Sequence, residues 1–351
     1  MEATPAQAAG DADADADAAA IPTEVTTPLD AALPLILPFT SLQCKGRTQA
    51  TSKIIGESVV VDELDARPLY SRLVAAKANF HLPQILEKYR LVSLNLEFCR
   101  AASLLDAVAE TQHATLKHLN LNGVPDADPA TVSRLLGSCS RLEVVGLFRH
   151  VRLGDDALAA LPGTLRELSV SGCSLISDAG VEALVEHAPH LHFLDCTRCP
   201  ELTDKSLMTL ASLKLTGLVC YANAGLSAYG RLRAFDLRRL DCTGSRGVDG
   251  SAIAKIARLA AARLEILNWS WCVAVDDYAP LALGECCPNL TWLSLHGNRH
   301  VTDTGIDALS RGCLKLTSLD VSGCSQVTDY LRREGVLVAK FPHVVKWRLH
   351  T

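Results

Sequence analysis

One six-residue spacing constrains this chain more than any other feature. An apolar residue, two variable residues, an apolar residue, one variable residue and a further apolar residue recur from residue 91 onward. The copies read LVSLNL at Leu91, LKHLNL at Leu116, LEVVGL at Leu142, LRELSV at Leu165 and LHFLDC at Leu191. They continue as LTGLVC at Leu215, LRRLDC at Leu237, LEILNW at Leu264, LTWLSL at Leu290 and LTSLDV at Leu316, with a weaker copy, VVKWRL, at Val344. Successive anchors lie 22 to 28 residues apart. Alternating apolar residues mark a strand with one buried face. Between them, GVEALVEHA (180–188) and GIDALSRGC (305–313) put apolar residues at i, i+3 and i+4, the spacing of a helix. One such unit cannot bury both its faces alone, but stacked units share a continuous core.

Two finer periodicities ride on the first. Eight residues after the anchor stand Cys99, Cys173, Cys199, Cys272 and Cys324, with Asn223 and Asn298 in two other copies. Three before the anchor stand Cys139, Cys287 and Cys313, where the helix should end. A Ser or Thr followed by Asp precedes several helices: Ser177-Asp178, Thr203-Asp204, Thr302-Asp303 and Thr328-Asp329. The hydroxyl can cap free N–H groups of the first turn, and the carboxylate suits the positive helix end.

The combined pattern resembles the cysteine-containing leucine-rich repeats; LRELSVSGCSLISD (165–178) and LTSLDVSGCSQVTD (316–329) match most closely. The resemblance implies an α/β fold: a leucine-rich-repeat solenoid, horseshoe-shaped, of about eleven repeats, with a parallel concave sheet, outer helices and a helical N-terminal cap. Copies at Leu116, Leu142, Leu215 and Leu237 are degenerate, which predicts an irregular middle. The expected division is an acidic, disordered tail at 1–27, an F-box-like or capping segment at 28–57 and the repeat domain at 58–351.

This repeat subclass is common in F-box proteins, the substrate receptors of cullin-type ubiquitin ligases. The resemblance therefore implies a non-enzymatic interaction module, with protein substrate on the repeats and a Skp-type adaptor on the N-terminal segment. In PLDAALPLILPFTSLQCKGRTQATSKIIG (28–56), the adaptor would meet Leu33, Ile36, Leu37, Phe39 and Leu42. Three features depart from an F-box: Pro38 interrupts the first helix, the spacing after Leu33-Pro34 is short, and Ile54-Ile55 stand where an aromatic is usual. The alternative for this segment is a cap on the first repeat. The alternative for the whole chain is a scaffolding protein of a large assembly, cytoskeletal or flagellar, with no ubiquitin link.

Composition narrows the field further. A net charge of −5 argues against a nucleic-acid partner, which usually selects a basic surface. No stretch reaches the length of a membrane span. The start, MEATPAQAAGDADADADAAA, lacks the pattern of an export or mitochondrial leader. Localisation in cytosol or nucleus is expected, with the 13 cysteines reduced. Phosphate-loop, dinucleotide, zinc-protease and serine-hydrolase motifs are not found in the sequence. Cys196-x-x-Cys199, with His187, His190 and His192 upstream, could be half a zinc site or a redox pair. The repeat accounts for both thiols, however, so neither metal nor cofactor is expected.

The variable strand residues should face outward together, along a face on the order of 50 Å. Six of the 17 aromatics fall on outward positions: Phe98, Phe148, Phe193, Tyr221, Trp271 and Trp292. Aromatics and arginines are enriched at binding hot spots. Trp271, Trp292 and His296 form one expected partner patch; Phe148, Arg149, Phe193 and Arg198 form a second, with Asp195 and Tyr221 alongside.

Overall fold

The computed structural model describes residues 59–65, 86, 89–100, 102–124, 126–232, 234–328 and 333–348. The tail and residues 28–57, including Leu33, Ile36, Leu37, Phe39 and Leu42, lie outside them.

Twelve strands form one parallel sheet in strict chain order: β1 (Val59–Asp65), β2 (Tyr89–Asn95), β3 (His118–Asn120), β4 (Val144–Gly146), β5 (Glu167–Ser169), β6 (Phe193–Asp195), β7 (Gly217–Val219), β8 (Arg239–Asp241), β9 (Ile266–Asn268), β10 (Trp292–Ser294), β11 (Ser318–Asp320) and β12 (Lys346–Arg348). The helices between them are α1 (Leu105–Gln112), α2 (Pro129–Ser138), α3 (Asp155–Ala159), α4 (Asp178–His187), α5 (Asp204–Leu210), α6 (Gly250–Ala260), α7 (Tyr278–Cys286), α8 (Asp303–Gly312) and α9 (Glu334–Lys340).

Eleven of these strands are the eleven copies found in the sequence. β1 is an addition: Val61 pairs with Leu91 and Leu64 with Leu94, so VDELDA is a further copy, 30 residues before its neighbour. The segment 59–65 is thus a rung of the sheet.

In the ten copies from Leu91 to Leu316 the first, fourth and sixth residues are buried in one core, which runs from Leu86 to Val344. The irregular middle is real. Helix α3 has only five residues, and the connection from β7 to β8 carries two 3₁₀ turns, Tyr229–Arg231 and Ala234–Asp236, instead of an α-helix. That connection is the shortest in the array, at 22 residues between anchors. Tyr229 is fully buried there, its hydroxyl 3.2 Å from Cys220 Sγ and 2.9 Å from Ser245 Oγ.

Two ladders join the repeats. In the first, the side chain eight after the anchor donates to a strand-end carbonyl of the preceding copy. Cys173 Sγ reaches Leu147 O at 3.1 Å, Cys199 Sγ reaches Val170 O at 3.3 Å and Cys324 Sγ reaches Leu295 O at 3.2 Å. Asn223 Nδ2 bonds Cys196 O at 2.8 Å, and His150 Nε2 bonds Leu121 O at 2.7 Å. Burial lowers the His150 pKa, though that hydrogen bond opposes it.

The second ladder refines the Ser/Thr-Asp expectation. The hydroxyls of Ser177, Thr203 and Thr302 do cap their helices. The aspartates reach the next copy. Asp178 accepts from Thr203 N at 3.0 Å, from Thr203 Oγ1 at 2.5 Å and from Ser206 Oγ. Asp155 does the same for Ser177, Asp204 for Ser227, Asp277 for Thr302 and Asp303 for Thr328. Burial pushes the Asp178 and Asp204 carboxyls up, but the donated hydrogen bonds outweigh it and hold both below the ordinary carboxylate range.

Candidate partner-binding face

The face opposite the helices is built from the strand positions the core leaves out. On its floor, four after the anchor, stand Asn95, Asn120, Asp195, Asp241, Asn268 and Asp320. Each side-chain oxygen accepts from the backbone N–H two residues on, at 2.9–3.2 Å. This fixes the turn that follows the strand. Asp241, Asn268, Ser270 and Ser294 are also linked side chain to side chain, at 2.7–3.0 Å. Asp195 lies half-buried on this floor and accepts from Ser169 Oγ at 3.3 Å as well. The aspartate proposed for partner contact therefore already has a task within the fold.

The rim comes next, seven residues after the anchor. In all ten copies from Leu91 to Leu316 this residue has a left-handed backbone, with φ between 54° and 76°. Five are glycine: Gly123, Gly172, Gly244, Gly297 and Gly323. The others are Phe98, Arg149, Arg198, Ala222 and Trp271. For an L-residue this conformation costs about 1–2 kcal/mol. The large residues are never adjacent; each is followed by a small one, and the reason is steric. A Cβ on Gly123 would overlap the Phe98 ring, one on Gly297 would stand 2.6 Å from the Trp271 ring, and one on Gly172 would touch Arg149 at 3.6 Å. Beyond Ala222, which casts no side chain forward, Gly244 has open space. The sequence signal for this rim was the five glycines in register, which the repeat pattern alone did not single out.

Ala222 isolates the conformational cost, because it is exposed and its methyl forms no hydrogen bond or ring contact. Ala222→Gly should raise stability by about 0.5–1 kcal/mol, the left-handed penalty less the entropy a glycine adds to the unfolded chain. A urea midpoint at or below that of the parent would refute the strain.

The first expected patch comes together with Tyr221 added, and the second divides. Tyr221, Trp271, Trp292 and His296 line one groove of about 690 Å³ with Asp320, Val345 and Lys346. Trp271 and His296 stack with ring centroids 4.8 Å apart, and His296 Nδ1 stands 3.8 Å from Asp320 Oδ2. Trp271 is 52% exposed, Phe98 61% and Tyr221 37%, against a core that excludes water. The second patch divides into cation–π pairs: Arg149 over Phe148 at 5.8 Å, Arg198 over Tyr221 at 5.5 Å and Arg239 over Phe193 at 5.8 Å. Arg198 thus joins the first groove through Tyr221. Phe193 lines a smaller hollow of about 290 Å³ with His118, Asn120 and Glu167.

Cys196-x-x-Cys199 resolves into two separate structural jobs. Cys196 is buried in the core at the strand end, and Cys199 is a rung of the thiol ladder. Burial pushes the Cys199 thiol up to about 12 and the Cys196 thiol higher than its ordinary value. His187 is turned to its own helix, bonding Ala183 O at 2.8 Å, and His192 lies 3.4 Å from Thr216 Oγ1. Among the described residues these groups do not gather into a cluster that could hold a metal, and no helix is long and apolar enough to cross a membrane.

Known proteins share this construction. The family model described as Leucine Rich repeat matches residues 164–185 and 286–310, which span β5 to α4 and β10 to α8. F-box/LRR-repeat protein 4 of Bos taurus is 24% identical over 280 residues, covering 74% of this chain and 41% of that protein. DNA repair protein rhp7 of Schizosaccharomyces pombe is 24% identical over 185 residues, covering 50% of this chain and 32% of that one. The chain thus spans less than half the length of either. A crystal structure of an internalin from Listeria monocytogenes superposes with a TM-score of 0.51 at 15% identity, over 84% of this chain and 87% of that one.

Proposed function

Taking the chain as a cysteine-containing leucine-rich-repeat protein, we propose that it is a non-enzymatic substrate receptor of an SCF-type ubiquitin ligase. The concave face and its rim hold the protein substrate, and residues 28–57 hold a Skp-type adaptor. The observation that carries the interaction role is the rim. Four of the ten rim positions place Phe98, Arg149, Arg198 and Trp271 where glycine would be relaxed, and leave those side chains exposed. Folding gains little from them there. Strain held in place by the surrounding structure, at side chains of hot-spot type, marks a surface selected for contact. The shallow floor, with its hydrogen bonds already closed by the fold, suits a macromolecular partner better than a small substrate.

The adaptor half is supported by the Leu33-Pro34, Ile36, Leu37, Phe39 and Leu42 pattern and by the likeness to a protein named for an F-box. It is tested by capture. A purified Skp-type adaptor should retain the full chain, and Ile36→Asp with Leu37→Asp should lower retention at least tenfold, since each buries a charge in an apolar contact. A well-folded parent chain that the adaptor does not retain would overturn the ligase reading in favour of scaffolding.

A further inference from the structure

The turn rim carries a second periodicity. Between the sixth and tenth positions after each anchor, arginine follows β2 (Arg100), β4 (Arg149 and Arg152), β6 (Arg198), β8 (Arg246) and β10 (Arg299). No arginine or lysine occupies that band after β3, β5, β7, β9 or β11; after β1 it holds Arg67, which lies outside the described residues. All six are exposed, and none has a carboxylate within ion-pair distance among the described residues. Several cations elsewhere are paired. Lys117 and Arg166 meet Glu143, Arg238 meets Glu265, Lys205 meets Glu182 and Lys340 meets Asp307. The band holds three carboxylates, Glu97, Asp126 and Glu201, so it is net positive on a chain of net charge −5. Arginine used to the exclusion of lysine provides planar forks that grip carboxylates two bonds at a time.

We infer that this rim is a docking surface for an extended acidic segment, and that the chain's own GDADADADA, residues 10–18, is the resident occupant. The spacing supports the match. In an extended segment Asp11, Asp13, Asp15 and Asp17 project on one side. The six steps from Asp11 to Asp17 cover about 20 Å at about 3.3 Å each. Three arginine-bearing turns span four strand spacings, about 19 Å at about 4.8 Å each. Asp11 and Asp17 then reach the outer arginines, and Asp13 and Asp15 flank the middle one. About forty residues separate the segment from β1, and a coil of that length spans about 35 Å. Tethering at that distance gives an effective concentration in the millimolar range, enough for a weak salt-dependent contact that a stronger ligand displaces. The inference does not rest on the ligase reading; the rim alone carries it.

The test uses the full chain and a fluorescein-labelled peptide of residues 8–20. Neutralising the tail with D11N, D13N, D15N and D17N should raise affinity for the labelled peptide two- to tenfold over the parent, by removing the internal competitor. The gain should vanish in about 0.5 M NaCl and in chains that also carry Arg149→Glu and Arg198→Glu. Both arginines are exposed, so unchanged circular dichroism is expected; Arg198→Lys, which keeps the charge and loses the fork, should give an intermediate affinity. Equal affinity for parent and tail-neutralised chains would show that the tail does not occupy the rim. Binding that survives both charge reversals would place the peptide elsewhere. Labelled single-stranded DNA of 13 nucleotides (one per peptide residue, from residues 8–20) binding the rim as tightly as the peptide would replace the acidic-peptide assignment with a general polyanion site.

Discussion

Tyr229→Ala should lower stability by about 3–5 kcal/mol, the cost of emptying a large buried aromatic site. Its place in the array makes the expectation specific. The β7–β8 connection lacks the α-helix that covers most other strands, and the Tyr229–Arg231 turn packs against α5 and α6 in its stead. A stacked array is held by nearest-neighbour interfaces. Weakening this one should therefore separate the unfolding of β1–β7 from that of β8–β12. Urea denaturation followed by circular dichroism reads both effects, as a lowered midpoint and a transition that broadens into two. Tyr229→Phe keeps the volume and leaves Ser245 Oγ and Cys220 Sγ without their phenol partner. About 1–2 kcal/mol is expected for that loss. If Tyr229→Ala unfolds at the parent's midpoint, the irregular connection is held by something other than this side chain.

If the groove is the proposed partner site, Trp271→Ala combined with Trp292→Ala should weaken binding of that partner at least thirtyfold, about 2 kcal/mol or more, while leaving the fold intact. The two side chains line the same groove, and Trp271 is more than half exposed. A half-buried surface aromatic contributes little to folding, but at the centre of an interface it commonly contributes 2 kcal/mol or more. Trp271 also holds left-handed backbone, so its removal relieves no constraint the core depends on. The measurement is titration calorimetry against a substrate retained by the parent chain, paired with thermal unfolding of both proteins. Unchanged affinity would remove the groove from the interface. A large fall in melting temperature would make Trp271 and Trp292 structural residues, turned outward only in part.

The residues that were legible in advance share one property: their role is set by distance from the anchor within a single copy. Leu94, Leu119 and Leu168 are buried because period-two alternation places them with the anchors on one side of a strand. Cys199 and Cys324 take equivalent places because the turn after each strand has one length. Trp271, Trp292 and His296 could be grouped from register alone, and they do share a groove. What the sequence could not supply is whatever passes between copies. Asp178 looks like a helix-terminal residue in its own repeat, yet its oxygens bind Thr203 and Ser206 of the next. VDELDA ends on the small Ala66 and has Leu69 in place of the Cys or Asn eight after the anchor, so only the pairing of Val61 with Leu91 identifies it as a strand.

By itself, then, the amino-acid sequence determined the repeat, its period and which side chains enter the core, because local geometry and apolar alternation suffice for these. Only the tertiary structure decided the left-handed rim. From Phe98 to Gly297, the N–H of each of nine rim residues is drawn to a carbonyl of the following copy, as Phe98 N is to Asn122 O at 2.8 Å and Trp271 N to His296 O at 2.6 Å. That bond exists only once the neighbour is stacked. It holds Phe, Arg and Trp in a backbone conformation that their own preferences disfavour, and so sets these side chains along the edge of the face.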